Sequence, residues 1–446
     1  MKKILLETFS IVLCFAILFG VFDIPVVASA PSVPDTSHAE YVSLYNVNTD
    51  KVIYSKNSAD KIFPSSAVKM MTGLIACEML EECLDKKVTV TESMIGDAYG
   101  TSAKLEVGMS VTVKDLLYGL LCACGNDAAM AIATLCSGSI NVFVSEMNRK
   151  ATELKMKNTF FTNPTGLDDK KMYSTLSDIM ILAKEAANNQ LYLDISSAMS
   201  YVYRPDGWED EIKIFNRNSL ISNFYSIGYR NLYAYGLIAG NTELGGYCAI
   251  TYAENNGTGY ICAVMNAEED DGVVYSYETV NALLDYAFDN YSYVKIVEKG
   301  KKICTAKTKF ALPTSDEEVT VSCVIKDDVY ALTHMEIDSK TDIEYKYYLH
   351  NDTLNAPIYV GMIVGGVDIL YDGNIIGRGV LIAEEDIPAS EMLLKIENLK
   401  DLFLGRAFLL SVLFSVIGVF LYYRISFIKY RKGNRNCKKK NVKRFY

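Results

Sequence analysis

The sequence is poor in histidine, proline and tryptophan, with three, nine and one of these residues in 446. Because prolines are few and half of the residues are apolar, the chain is neither disordered nor collagen-like. Its length fits about two to three domains. No histidine occurs between His38 and His334. A Ser-His-Asp hydrolase site or a histidine-bound metal is therefore not expected in that stretch, and a nucleophile there needs another base.

Basic residues are scarce outside the C-terminus. The last 23 residues carry ten Lys/Arg and no acidic residue, whereas residues 29–423 carry 32 basic against 52 acidic residues, a net charge of −20. Binding to nucleic acid requires a basic face that neutralises phosphates. The charge distribution thus excludes a nucleic-acid partner for the body of the protein.

The cysteines do not form a disulfide pattern. Nine of the eleven lie between residues 29 and 423, an odd number with scattered spacing and mostly apolar neighbours. Cys122 and Cys124 alone are too few for a zinc site, which usually has four ligands. We therefore expect no metal, and nothing in the sequence indicates an organic cofactor.

Both ends of the chain have membrane-targeting patterns. Lys2 and Lys3 precede an apolar run, and small residues end at Ala28, which predicts a signal peptide over residues 1–28. Residues 402–423 are mostly apolar and predict a transmembrane helix. The basic tail 424–446 would then be cytoplasmic and the acidic body extracytoplasmic. A buried core helix and an interfacial anchor are the alternatives for 402–423.

The pattern over residues 38–291 predicts one α+β domain. Two alternating runs around 41–45 and 51–54 predict a hairpin. Helical periodicity and later strand-like runs follow, so that strands at both ends enclose helices. The predicted helices are 63–80, 113–121, 127–136, 142–154, 175–188 and 278–289, and the predicted later strands are 246–253 and 259–265.

Residues 293–387 predict a separate small all-β domain. Short strands are expected at 318–325, 358–364 and 375–382, with a hairpin turn at Asp372-Gly373. Residues 388–401 are expected to form a short linker to the membrane segment.

Ser66 and Lys69 form the strongest candidate for chemistry. At positions i and i+3 of a helix, the hydroxyl and the amine lie on the same face. A serine at the helix N-terminus also lies near backbone N–H donors that can stabilise an oxyanion. A partly desolvated lysine can lose its proton and activate the hydroxyl. Alone, S-x-x-K also fits an N-cap serine beside a surface lysine.

Further motifs accompany this pair. Residues 63–72, Phe-Pro-Ser-Ser-Ala-Val-Lys-Met-Met-Thr, resemble the active-site segment of the D-alanyl-D-alanine carboxypeptidases, which are low-molecular-mass penicillin-binding proteins. The resemblance covers about 40–290, and the β-rich segment to about 385 resembles the second domain of that family. Further matching blocks follow in the family's order at 113–121, 125–129, 147–151, 161–167 and 173–175.

The resemblance implies a transpeptidase-like fold, an antiparallel sheet with helices, and removal of the terminal D-alanine from peptidoglycan stem peptides. It implies Ser66 as nucleophile, Lys69 as general base and Asn126 as the residue that orients substrate and Lys69. It also implies acylation by β-lactams. The membrane anchor agrees with an extracytoplasmic substrate.

Two motifs depart from the family. The second motif, Ser-Gly-Asn, has Cys124 in place of its serine, and a thiol is the weaker hydrogen-bond donor. The third, Lys-Thr-Gly, has become Ile238-Ala239-Gly240, which removes the cation and hydroxyl expected to bind the substrate carboxylate. Such a loss typically costs about 2–5 kcal/mol. Arg230 is a candidate replacement. The alternative function is a catalytically degenerate homologue with a wall-binding or regulatory role.

Overall fold

The computed structural model describes residues 32–96, 98–312, 319–333, 343–371 and 373–442, without the side chains of 401–404, 406–407 and 432–442. The predicted signal peptide, His334 and the last four residues lie outside this part of the chain. The chain divides into two compact units: the first ends at Tyr293 but also includes Leu332 and Thr333, and the second comprises the other described residues from Val294 onward.

The first unit is built on a five-stranded antiparallel sheet. The predicted hairpin is present and forms one edge, with Leu44 opposite Tyr54. The strands come from both ends of the unit, as the α+β prediction requires. In spatial order they are Lys51–Lys56, Ala39–Asn46, Thr258–Ala267, Gly246–Asn255 and Ala234–Thr242.

Helices cover both faces of this sheet. Helix Tyr275–Asn290 packs on one face through Val280, Leu283 and Leu284, and the other helices pack on the opposite face. Because side chains alternate along a strand, neighbouring residues enter different cores. The other helices are Val68–Leu80, Glu92–Ile95, Val113–Leu121, Asn126–Ser137, Ile140–Glu153, Leu176–Asn188 and Gln190–Ser196.

Helix Val68–Leu80 is at the centre of the helical layer. The sequence predicts one apolar stripe made of Val68, Met71, Leu74 and Ile75, but ten consecutive residues, Val68–Cys77, are buried. Other helices surround it closely: a Cβ added to Gly73 would lie 2.5 Å from Leu121 Cδ2. A helix enclosed on all sides has no solvent face for polar residues, which explains the difference from the prediction.

Several helix boundaries follow from capping. Thr112 and Asp115 form a reciprocal capping box at the start of Val113–Leu121. The helix predicted to begin at 142 begins at Ile140, because the Ser139 side chain accepts a hydrogen bond from Val142 N.

The second unit is β-rich, as the fold prediction stated. One predicted strand, 358–364, is wrong: Gly361 has φ +82° in a turn, and the strand begins at Ile363. That strand pairs with Asn374–Ala383 across the predicted hairpin, whose Asp372 lies outside the described residues. The six-stranded sheet has the order Ile343–Leu349, Ile363–Tyr371, Asn374–Ala383, Thr320–Ile325, Lys302–Lys309, Thr353–Asn355, and strand Ser292–Val297 pairs with Val329–Thr333.

Two helices end the described chain. The predicted linker 388–401 is largely helical, because Ser390 caps a helix over Glu391–Leu404. A second helix, Arg406–Val442, follows Gly405. Within it, Phe408–Arg431 is apolar and long enough to cross a membrane, and none of it is buried. The apolar stretch therefore starts six residues later than predicted, and its exposure does not fit a buried core helix.

Candidate active site

Ser66 lies in a 3₁₀ turn, Ser65–Ala67, immediately before helix Val68–Leu80. Lys69 lies on the first turn of that helix. Both side chains are almost enclosed, with exposures of 5% and 3%, and both line a cleft of about 570 Å³. The i, i+3 spacing therefore brings hydroxyl and amine to one wall of the cleft.

The loop over residues 163–166 forms a second wall. Lys69 Nζ donates a hydrogen bond to the Thr165 carbonyl at 2.6 Å. The Asn163 side chain holds this loop by accepting a hydrogen bond from Gly166 N at 2.8 Å. Gly166 has φ +76°, and an added Cβ would lie 2.0 Å from the Ser65 carbonyl oxygen. The loop thus fixes the position of the lysine amine. Motif resemblance marked this block, but it did not predict the Lys69–Thr165 contact.

Asn126 begins the next helix, Asn126–Ser137, and lines the same cleft. Its Nδ2 donates to the Tyr99 carbonyl at 2.6 Å, whereas its buried Oδ1 has no hydrogen-bond partner among the described residues. A buried acceptor without a partner is costly unless a ligand supplies a donor. Cys124, two residues earlier, also lines the cleft and has φ +55°.

Asp127 braces this wall of the cleft. Its carboxylate accepts hydrogen bonds from Ala103 N at 2.8 Å, Leu105 N at 3.1 Å and Ser102 Oγ at 2.7 Å. This network orders the segment that includes Tyr99 and Thr101, both of which line the cleft. This segment could not be predicted from the sequence, because it has no helical or strand periodicity.

The strand Ala234–Thr242 closes the cleft at Gly240. A Cβ added there would lie 2.3 Å from Ser66 Oγ and 3.6 Å from Cys124 Sγ. Ile238 and Ala239 are each 2% exposed, belong to the two cores on opposite faces of the sheet, and are not among the described residues that line the cleft. The structure thus brings Ser66, Lys69, Cys124, Asn126 and Gly240 together at the cleft, whereas Ile238 and Ala239 pack into the two cores.

Arg217 supplies a cation that was not predicted from the sequence. It lines the cleft, whereas Arg230, the predicted replacement, is exposed elsewhere. Its backbone is fixed on both sides: Arg217 N donates to the Cys122 carbonyl at 2.9 Å, and its carbonyl accepts from Tyr277 Oη at 2.9 Å. A guanidinium can bind a carboxylate through two parallel hydrogen bonds.

Burial controls the chemistry of the neighbouring thiol Cys248, which pairs in register with Gly240. Complete burial raises its pKa to about 12. Cys248 is therefore a neutral packing residue near neutral pH, and it does not line the cleft, whereas Ser66 and Cys124 do.

Comparison with known proteins identifies the family of this chain. The family described as D-alanyl-D-alanine carboxypeptidase matches residues 27–269, and the C-terminal domain of penicillin-binding protein 5 matches residues 291–389. The chain is 29% identical to D-alanyl-D-alanine carboxypeptidase DacF of Bacillus subtilis over 78% of this chain and 86% of the relative. It is 27% identical to DacA of Escherichia coli K12 over 89% and 94%, respectively.

Solved structures show the same fold. Penicillin-binding protein 5 from Haemophilus influenzae has a TM-score of 0.61 at 24% identity and covers 80% of this chain and 100% of that structure. DacD from Francisella tularensis has a TM-score of 0.61 at 20% identity, with coverage of 80% and 95%.

The fold and the cleft define an S-x-x-K serine peptidase of the penicillin-binding type. The chain belongs to the D-alanyl-D-alanine carboxypeptidase family, and it is a serine-type carboxypeptidase of cell-wall metabolism. The family, fold class and enzyme class expected from the sequence are thereby confirmed.

Proposed function

We propose that this protein removes the terminal D-alanine of peptidoglycan stem peptides through an acyl-enzyme on Ser66. The observation that carries this proposal is the convergence of Ser66, Lys69 and Asn126 on one cleft that Gly240 borders. The proposal fits a peptide substrate because the cleft is open to solvent and its walls include both carbonyl acceptors and a guanidinium.

Acylation begins when Ser66 Oγ attacks the carbonyl carbon of the penultimate D-alanine and Lys69 Nζ accepts the hydroxyl proton. The tetrahedral intermediate then collapses, the C–N bond breaks, and the leaving D-alanine amine takes the proton that Lys69 Nζ accepted. Water hydrolyses the resulting ester and regenerates Ser66. A β-lactam would enter the same sequence and remain as a stable acyl-enzyme.

Asn126 has the geometry of an orienting residue. Its Nδ2 is committed to the Tyr99 carbonyl, which leaves the Oδ1 acceptor for a substrate amide N–H. Cys124 stands where the family has a hydroxyl, and its thiol would donate more weakly during proton return to the leaving group. We expect slower turnover for that reason.

Arg217 takes over the binding of the substrate's terminal carboxylate. The family cation is replaced by Ile238, whose side chain is buried, whereas Arg217 lines the cleft. The hydroxyl lost at Ala239 has no such replacement in this proposal, so carboxylate binding is weaker than with a complete Lys-Thr-Gly motif.

The apolar stretch Phe408–Arg431 fits a single-pass anchor that holds the catalytic body outside the cytoplasm, with the basic tail inside. Such an arrangement places the cleft in the compartment of its substrate. The first 28 residues would be the signal peptide that exports it.

The alternative is a catalytically degenerate penicillin-binding-protein homologue that binds the wall or regulates other enzymes. The replacement of two motif positions by buried apolar residues favours it. Under this alternative, the cleft binds peptide or penicillin without D-alanine release.

The full-length chain in detergent separates these functions. D-Alanine release from a diacyl-L-Lys-D-Ala-D-Ala peptide and labelling by fluorescent penicillin are measured together with Ser66→Ala, and Ser145→Ala serves as an exposed control. Release that Ser66→Ala abolishes supports the carboxypeptidase. Labelling without release would favour the degenerate homologue, and absence of both would remove the acyl-enzyme altogether.

A further inference from the structure

An aromatic loop lies beside Arg217. Residues 219–233 connect Asn218 to the strand that contains Gly240. The loop is anchored at both ends, since Leu220 N donates to Asn218 Oδ1 at 3.0 Å and Asn231 N donates to the Leu220 carbonyl at 3.0 Å. The segment between these anchors carries Phe224 and Tyr225.

These two rings continue a ladder that starts on a strand. Phe215 ends strand Ile212–Phe215, and Phe224 stacks on it with ring centroids 3.6 Å apart and planes within 3°. Tyr225 meets Phe224 edge-on at 5.0 Å. The Arg217 guanidinium carbon lies 4.7 Å from the centroid of the Tyr225 ring. The ladder therefore links a fixed strand to the cation of the cleft.

The two rings are not explained by core packing. Phe224 is 56% exposed and Tyr225 is 48% exposed, yet both have defined partners. An aromatic ring over a guanidinium occupies its face and leaves the in-plane N–H donors free. A carboxylate binds those in-plane donors, so the same Arg217 can contact the ring and a carboxylate at once.

We propose that Tyr225 is a positioning residue, which holds the Arg217 guanidinium so that its N–H edge stays open to the terminal carboxylate of a bound peptide. The loop would thereby set the preference for peptides that end in a free carboxylate over peptides with a blocked C-terminus. This inference rests on the proposed function, because it takes the same cleft as the binding site for the terminal carboxylate.

The test measures binding separately from catalysis. In full-length Ser66→Ala protein, calorimetry gives the Kd of diacetyl-L-Lys-D-Ala-D-Ala and of its C-terminal amide. We expect the acid to bind more tightly than the amide. Tyr225→Leu should reduce this acid-over-amide ratio about two- to fivefold, as expected for a partly exposed cation–π contact, while leaving the Kd of the amide unchanged. A merely structural defect would weaken both ligands.

Two further variants complete the design. Tyr225→Phe keeps the ring face and should keep the ratio, and Ile227→Ala, at an 84% exposed position of the same loop, should also keep it. An unchanged ratio in Tyr225→Leu, an equal weakening of both ligands, or no acid preference in the parent protein would overturn the inference. D-Alanine release by protein with native Ser66 is assayed in parallel: an intact ratio without release would refute the proposed function but support the role of Tyr225.

Discussion

Gly240→Ala tests the placement of the nucleophile most directly. The added Cβ would lie 2.3 Å from Ser66 Oγ and 3.0 Å from Ser66 Cβ. Non-bonded heavy atoms prefer separations of about 3.5–4.0 Å. Relief of the clash therefore requires Ser66 Oγ to move by about 1 Å or more, by rotation of its side chain or displacement of the turn.

The expected loss of acylation rate follows from that displacement of Ser66 Oγ. A misplacement of about 1 Å at a reacting group can lower the rate about 10²-fold, equivalent to about 2.7 kcal/mol of transition-state stabilisation. The second-order rate constant for acylation by fluorescent penicillin measures this effect, because it reports the attack of Ser66 Oγ. D-Alanine release should fall in parallel.

Gly207→Ala is a control for backbone strain without a clash, since Gly207 lies in a turn with φ +78°, which strains an alanine, and no atom lies within 4 Å of an added Cβ. It reports the stability cost of a glycine replacement remote from the cleft. Acylation by Gly240→Ala within about threefold of the parent, with an unchanged Tm, would refute the geometry assigned to Gly240 and Ser66.

Three further outcomes are expected. Ile238→Lys should lower the free energy of unfolding by about 3–5 kcal/mol without raising turnover, because it buries an unpaired charge. Urea titration measures the free energy of unfolding, and D-alanine release measures turnover. Faster turnover would contradict the role given to Arg217. Asp127→Ala should lower the free energy of unfolding by about 3 kcal/mol or more, since it leaves several buried N–H groups without acceptors. A Tm within about 2 °C of the parent would refute the stabilising role given to the Asp127 carboxylate. Burial raises the pKa of the Cys122 thiol from 9.0 to about 12, so this thiol ionises at lower pH in the unfolded chain, and stability should fall as the pH rises above 9. The urea midpoint of Cys122→Ala should therefore fall less between pH 8 and pH 10 than that of the parent. Equal falls would contradict a contribution of Cys122 to the pH dependence.

The sequence predicted features that depend on near neighbours. The hairpin at residues 39–56 followed from alternation and turn residues, and the shared face of Ser66 and Lys69 followed from helical spacing. Its errors were also local in origin. The turn at Gly361 and the cap at Ser390 redirect the backbone at single positions within otherwise ambiguous patterns.

The two altered motifs show most clearly how a prediction from sequence differs from what the folded protein contains. The sequence identified the loss of a cation at Ile238, but it selected Arg230 as the replacement because Arg230 is nearer along the chain. In the folded protein, Arg217 lines the cleft and Arg230 does not. Distance along the sequence does not indicate which side chains line the same cavity, because strand pairing and loop anchoring determine which residues meet there.

By itself, the sequence determined the acidic body, the α+β class and the spacing of the serine–lysine pair, and it predicts export, since each depends on composition or on spacings of a few residues. Only the tertiary structure decided which partners complete the cleft. Lys69 contacts a carbonyl 96 residues away, and Asn126 contacts one 27 residues away. Such contacts arise when packed cores bring distant segments together, and no local periodicity encodes them.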